Sequence, residues 1–146
     1  MGSVTVKHAI TYKVPPEAVF TAITSVEQES QWQAQVKRVW REPDGPIVVG
    51  TRIGRERKIM GKLTVQLSEV VVIRPNVSFE MREEPGRDQS PFTVSYQLAP
   101  VGTDSTKVEF TLVIEGVPVM FAAAVRRRLS GEVTEQFNRL GVLLAT

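Results

Sequence analysis

The chain has 146 residues, of which 42% are hydrophobic and 23% charged, and its formal net charge is +2. This ordinary globular mixture excludes a disordered or collagen-like protein, and the length predicts one domain over residues 1–146. Cysteine is absent and His8 is the only histidine. Disulfides, thiol nucleophiles and zinc sites built on cysteine or paired histidines are therefore excluded. We expect no cofactor and no metal.

The charge excess is small, so no nucleic-acid partner is expected. The only basic run, Arg126-Arg127-Arg128, fans out by ~100° per residue on a helix and is interpreted as a solvated flank, with anionic headgroups or RNA as the alternative. No apolar run approaches the ~20 residues of a transmembrane helix. The N-terminus enters an alternating pattern directly, so no signal peptide is expected. The lack of cysteine fits a cytoplasmic protein.

The first strand is predicted from Val4 to Tyr12, where apolar and polar residues alternate. Pro15-Pro16 ends it and suits a helix start. Helical spacing then predicts a short helix through Phe20 and a second one around residues 27–33, which carries Trp32. Period-two patterns separated by turn signals predict six further strands: Gln35–Arg41, Thr51–Ile59, Leu63–Ile73, Val77–Arg82, Phe92–Leu98 and Thr106–Glu115.

A long amphipathic helix is predicted from about Val117 to Leu144. The order of strand, two short helices, six strands and long helix predicts an α+β fold, in which a curved seven-stranded antiparallel sheet is covered on one face by this helix. A curved sheet around a helix can enclose a cavity, and apolar cavities with a few polar groups are the usual small-molecule sites. The apolar stripe of the helix consists of Phe121, Val125, Leu129, Val133, Phe137, Leu140 and Leu144.

Several short motifs occur in a fixed order along the chain: Val14-Pro15-Pro16-Glu17-Ala18-Val19-Phe20, then Trp32, Val49-Gly50-Thr51-Arg52, and Ser68-Glu69-Val70 through Arg74-Pro75, before the long helix. Together they resemble the START-like, or SRPBCC, superfamily of polyketide cyclase/dehydrase-like and birch-pollen-allergen-type proteins. The resemblance covers essentially the whole chain. It implies the helix-grip fold and a hydrophobic-ligand cavity, but no single reaction, because this superfamily hosts carriers, cyclases and partner-binding proteins. The turn Pro75-Asn76-Val77-Ser78 departs from the family pattern.

The turn at Met60-Gly61 predicts how its two strands pair. In a tight hairpin Arg57 would lie near Val65, Arg55 near Leu67 and Ile53 near Glu69, and opposed residues share a face. Extended over the sheet, this register predicts an apolar inner face. Because a buried charge needs a partner, we expect an ion pair between Arg55 and Glu69. The polar exceptions on the inner face are His8, Tyr12, Arg55, Arg57, Glu69 and Tyr96.

Ligand-binding residues are predicted on this face and on the long helix. Two arginines in an apolar cavity favour a ligand with an anionic or carbonyl end on an apolar or aromatic body. Structural roles are the alternatives: an internal or mouth-exposed ion pair, a hydrogen-bonded core histidine, packed tyrosines, and Trp32 closing the core. The predicted set is His8, Tyr12, Arg55, Arg57, Glu69, Phe79, Tyr96, Phe110, Phe121 and Val125.

Three functions are compatible with these features. The first is binding or transport of a small hydrophobic or amphipathic molecule, lipid-like or aromatic and polyketide-like. The second is a polyketide cyclase/aromatase or dehydrase-type enzyme, in which His8 or Tyr12 is the acid/base and Arg55 or Arg57 stabilises an enolate-like oxygen. The third is a partner-protein-binding module. Binding is favoured over catalysis, because one histidine without a carboxylate pair leaves few groups for acid/base chemistry. A monomer and a dimer both remain open.

Overall fold

Strands dominate the part of the chain that the structure describes. The computed structural model describes residues 2–59, 61–83 and 91–145, so the turn expected between the predicted strands Val77–Arg82 and Phe92–Leu98, at residues 84–88, lies outside it. The predicted succession of strands and helices is confirmed. In chain order the elements are β1 (Gly2–Tyr12), α1 (Pro16–Thr24), a 3-10 helix (Val26–Gln31), β2 (Val36–Glu42), β3 (Arg52–Ile59), β4 (Lys62–Arg74), β5 (Ser78–Glu83), β6 (Phe92–Val101), β7 (Ser105–Val117), a 3-10 turn (Val119–Phe121) and α2 (Ala122–Leu144).

The seven strands form one antiparallel sheet in the order β1-β7-β6-β5-β4-β3-β2. Strands β2 to β7 are a meander, and β1 joins its far end by pairing with β7. The register shifts between Val36 and Arg38 in β2 and between Val70 and Val72 in β4. Such bulges bend a strand and increase its twist, which helps the sheet curve around α2. No helix in the described ranges combines the length and apolarity needed to cross a bilayer.

The β3–β4 register differs by one residue from the prediction. Ile59 pairs with Lys62, so two residues separate the strands, and Gly61 has the positive φ of 79° that such short hairpin turns require. Because strand side chains alternate between faces, this shift moves the predicted inner residues of β4 from Leu63 to Glu69 to the other face. Leu63 and Val65 are 56% and 44% exposed, and Ser68 is buried instead.

Glu69 consequently occupies the outer face of the sheet, opposite Arg52 of β3 and Arg82 of β5. The predicted ion pair between Arg55 and Glu69 is therefore wrong. The bulge at Val71 shifts the alternation of β4 by one residue, so the side chains beyond it return to the predicted faces. Ile73 therefore packs against the core opposite Phe79, as expected.

The long helix begins five residues later than predicted. Residues that precede a proline avoid the helical conformation, so Pro118 keeps Val117 in β7 and the chain makes a 3-10 turn before α2. Phe121 ends that turn and is 55% exposed, so the prediction that it begins the apolar stripe is wrong.

Only the C-terminal half of α2 packs tightly against the sheet. Its buried residues are Val133, Gln136, Phe137 and Leu140, whereas its first half contributes none. Phe137 anchors the helix through ring contacts, with centroids 5.2 Å from Phe110 and 6.3 Å from Tyr96. The first half of the helix therefore leaves space above the sheet.

Candidate ligand cavity

A cavity of about 330 Å³ lies between the sheet and the first half of α2. This volume falls in the range of ~300–1,000 Å³ that is usual for small-molecule sites. Strands β5, β6 and β7 and one face of α2 give it a largely apolar wall. The apolar and aromatic lining residues are Met81, Phe92, Val94, Tyr96, Phe110, Leu112, Ile114, Val125, Leu129 and Val133.

The remainder of the cavity lining is polar. It comes from β3, β4 and the segment before β2, together with polar residues of α2. A molecule in this cavity would therefore have both apolar side chains and hydrogen-bonding groups within reach. The polar lining residues are Gln33, Gln35, Arg55, Arg57, Lys58, Gln66, Arg128, Glu132 and Gln136.

Arg55 is held by a carboxylate that the sequence did not single out. Its Nε and Nη2 donate to the two carboxylate oxygens of Glu29 at 2.7 and 2.8 Å, and its Nη1 lies 3.4 Å from Ser68 Oγ. Arg55 and Glu29 are only 5% and 1% exposed. Burial alone lowers the pKa of Arg55, but the charge and the hydrogen bonds of Glu29 outweigh it and raise that pKa. The charge of Arg55 is thus balanced within the protein.

Arg57 lies two residues further along β3 and has no such partner. Its side chain lines the cavity, is half-buried, and makes no hydrogen bond or ion pair within the described residues. Burial, and next the charge of Arg55, lower the pKa of Arg57. A guanidinium nevertheless stays protonated at neutral pH. The cavity wall therefore carries a partly desolvated positive charge.

Tyr96 is a buried tyrosine of the cavity lining. The residue is 3% exposed, and its hydroxyl has no hydrogen-bond partner in the part of the chain that the structure describes. Burial, and then the charge of Glu29, raise the pKa of Tyr96. The hydroxyl consequently keeps its proton at neutral pH and can donate a hydrogen bond to an acceptor in the cavity.

His8 and Tyr12, the predicted acid/base candidates, do not line the cavity. The His8 ring stacks on Phe137 with centroids 5.2 Å apart, and its Nε2 is buried without a hydrogen-bond partner among the described residues. The Tyr12 hydroxyl donates to the Phe137 carbonyl oxygen at 2.6 Å. Both side chains therefore contact the helix rather than the cavity.

The other predicted residues divide in the same way. Phe110 and Val125 line the cavity together with Arg55, Arg57 and Tyr96. Three predicted residues do not line it: Phe79, which is fully buried and stacked on Tyr96, Glu69 on the outer face, and exposed Phe121.

Sequence reasoning missed several polar groups at the cavity. Gln66 was hidden by the one-residue error in the β3–β4 register. Glu132 and Gln136 follow Val125 at positions i+7 and i+11, so helical spacing places them on the same face of α2 as Val125. They could therefore have been predicted together with Val125. Arg128 was interpreted as part of a solvated flank, and it does line the cavity. Glu29 gave no signal, because a carboxylate in a short polar helix is ordinarily solvated.

Comparison with known proteins identifies relatives of this arrangement. The family model described as "Polyketide cyclase / dehydrase and lipid transport" matches residues 3–144. Among solved structures, a START superfamily protein from Mycobacterium smegmatis is 20% identical with a TM-score of 0.79, and 97% of each chain is covered. A protein from Thermus thermophilus is 19% identical with a TM-score of 0.79 and the same coverage of 97%.

The di-domain ARO/CYC StfQ from the steffimycin biosynthetic pathway is 12% identical with a TM-score of 0.79, and the match covers 97% of this chain and 50% of that one. At these identities the structural likeness shows the fold alone, and the helix-grip fold is confirmed. A search of the curated proteins finds no match.

Proposed function

This chain belongs to the family of polyketide cyclases/dehydrases and lipid transport proteins, and we propose that its cavity binds a small hydrophobic or amphipathic molecule, lipid-like or aromatic. The observation that carries this proposal is the cavity of about 330 Å³, whose lining combines an apolar wall on β5–β7 with the unpaired guanidinium of Arg57 on β3. We further propose that residues 1–146 act as one ligand-binding domain in the cytoplasm.

The physical driving force would come from the apolar wall. Burial of apolar surface contributes about 25 cal/mol per Å², so an apolar body that covers this wall gains affinity from area alone. The polar groups of the lining would fix its orientation, as the few polar groups of small-molecule sites generally do.

Binding is preferred to catalysis because the cavity lining offers little acid/base chemistry. Its carboxylate among the described residues, Glu132, lies 3.7 Å from Arg128 in an ion pair. The Tyr96 hydroxyl holds its proton, and the one histidine lies outside the lining. A general base must be within hydrogen-bond reach of the proton that it removes, so His8 does not fit that role.

The proposal can be tested with Nile red, an uncharged fluorescent dye. We expect saturable binding with enhanced, blue-shifted emission, and we expect V94W to reduce it, because Val94 lines the cavity. Q97W is the matched control, since Gln97 lies on the same strand with its side chain exposed. Absence of dye binding, or equal binding by wild type and V94W, would contradict the proposal. Native mass spectrometry of protein purified from its host would then identify any ligand that copurifies.

A further inference from the structure

The charged groups around the cavity are not equivalent. Arg55 is neutralised by Glu29 through a buried pair of hydrogen bonds. Arg128 is paired with Glu132, four residues further along α2. Lys58 is exposed, so its charge is solvated and screened. Arg57 is the half-buried cation of the described lining that lacks an ion-pair partner.

An unpaired charge away from water is unfavourable, and the protein offers Arg57 little relief. The carboxylates whose charges act on it are those of Glu29 and Glu132, and each is engaged by another arginine. An anion bound in the cavity would supply the missing counter-charge, since charge-assisted hydrogen bonds to guanidinium are among the strongest in proteins.

The hydrogen-bonding character of the neighbouring groups narrows the class of anion. The guanidinium of Arg57 can only donate, and the protonated hydroxyl of Tyr96 has no acceptor within the described residues. Both side chains line the same cavity. Two donors in one cavity complement a group that only accepts, such as a carboxylate.

We propose that Arg57 is the anion subsite of the cavity and that the ligand is a monoanionic amphiphile, a carboxylate on an apolar or aromatic body. This inference rests on the proposed function. One uncompensated guanidinium balances one negative charge. A phosphate monoester carries about two negative charges at neutral pH, so the cavity disfavours it.

The test uses a matched pair of probes, 2-naphthoate and methyl 2-naphthoate, which share a ring system and differ in charge. Isothermal titration calorimetry should show that wild-type protein binds the carboxylate at least about tenfold more tightly than the ester. R57M should lose about tenfold or more of the naphthoate affinity while its affinity for the ester stays within about twofold. R57K should keep part of the preference, because an ammonium retains the charge without the fork of donors.

Two further variants separate a local effect from a general change in charge. R52M removes an exposed arginine from the outer face of the same strand, and it should leave naphthoate binding unchanged. E132Q removes a carboxylate whose charge acts on Arg57, and it should strengthen naphthoate binding. Thermal melts of every variant establish that each one is folded.

The outcomes distinguish the two levels of the proposal. If wild type binds both probes equally, or if R57M weakens both to the same extent, the anion subsite is disproved and the ligand cavity stands. A drop in naphthoate affinity in R52M equal to that in R57M would also overturn the subsite. If neither naphthalene probe nor Nile red binds, the proposed function itself fails.

Discussion

The guanidinium of Arg55 and the carboxylate of Glu29 meet in a bidentate ion pair, with N···O distances of 2.7 and 2.8 Å, at the junction of β3 and the 3-10 helix. Both side chains are almost completely buried. The pair fastens the short helix to the inner face of the sheet beside the cavity. Arg57, two residues further along β3, lines the cavity without an ion-pair partner among the described residues.

Breaking this pair from one side should strongly destabilise the fold. Removal of one partner leaves the other buried and uncompensated, which typically costs about 3–5 kcal/mol. We expect that loss in the free energy of unfolding of E29Q, measured by urea denaturation. E27Q is the control, because Glu27 pairs with Arg41 at the surface and exposed pairs contribute only about 0–1 kcal/mol. The double variant R55M/E29L should recover most of the loss. Equal destabilisation of E29Q and E27Q would contradict a structural role for the pair.

The two buried tyrosines should respond differently to loss of the hydroxyl. The Tyr12 hydroxyl donates to the Phe137 carbonyl oxygen at 2.6 Å and ties β1 to α2, so Y12F should lose about 1 kcal/mol of unfolding free energy. The Tyr96 hydroxyl has no partner within the described residues, so Y96F should be close to neutral. Urea denaturation of both variants measures the difference. A larger loss in Y96F than in Y12F would show that this assignment of hydrogen bonds is wrong.

Stability at alkaline pH should depend on these same residues. Burial raises the pKa of both tyrosines above the ordinary value near 10. Above pH 10 the unfolded chain releases tyrosine protons that the folded protein retains, so the free energy of unfolding falls as the pH rises. The contribution of the two tyrosines to the free energy of unfolding is fully present below pH 10 and is lost progressively above it. Between pH 10 and 11, Y12F/Y96F should lose stability less steeply than wild type, as followed by urea denaturation. Identical slopes would contradict the raised pKa values.

The element order was predictable because alternation and helical spacing are strong in this chain, whereas the β3–β4 register was not. Leu63, Val65 and Leu67 alternate with Thr64 and Gln66, and the apolar set was therefore assigned to the core. The structure buries Ser68 and Val70 instead. Only the length of the turn decides between these registers, and turn length cannot be read from alternation.

The cavity site was predicted in part for a related reason. Arg55, Arg57 and Tyr96 were found because they interrupt apolar patterns on their own strands. Glu29 and Arg55 are 26 residues apart in the sequence. Such a long-range ion pair cannot be predicted from the pattern of residues within either element. Only the structure therefore shows that Arg55 is neutralised by an ion pair whereas Arg57 is not.

Two glycines provide a final prediction, with opposite signs. A Cβ at Gly54 would lie 2.2 Å from the ring of Trp40, which sits opposite it on β2. Arg38 stacks on the same ring, 4.6 Å from its centroid, and the indole Nε1 donates to Glu42 at 2.9 Å. The ring is therefore restrained. We expect G54A to destabilise the fold by about 1–3 kcal/mol, as overpacking usually does, with a lower melting temperature.

Gly131 is the matched control, because it lies inside α2 and a Cβ there would meet nothing within 4 Å. Its φ is not in the positive range, so G131A should stabilise the protein by up to about 1 kcal/mol through helix propensity. The double variant G54A/W40A should show almost no additional loss relative to W40A, since removal of the ring also removes the clash. A G54A penalty that persists undiminished in the W40A background would place the cause in the β3 backbone rather than in the indole.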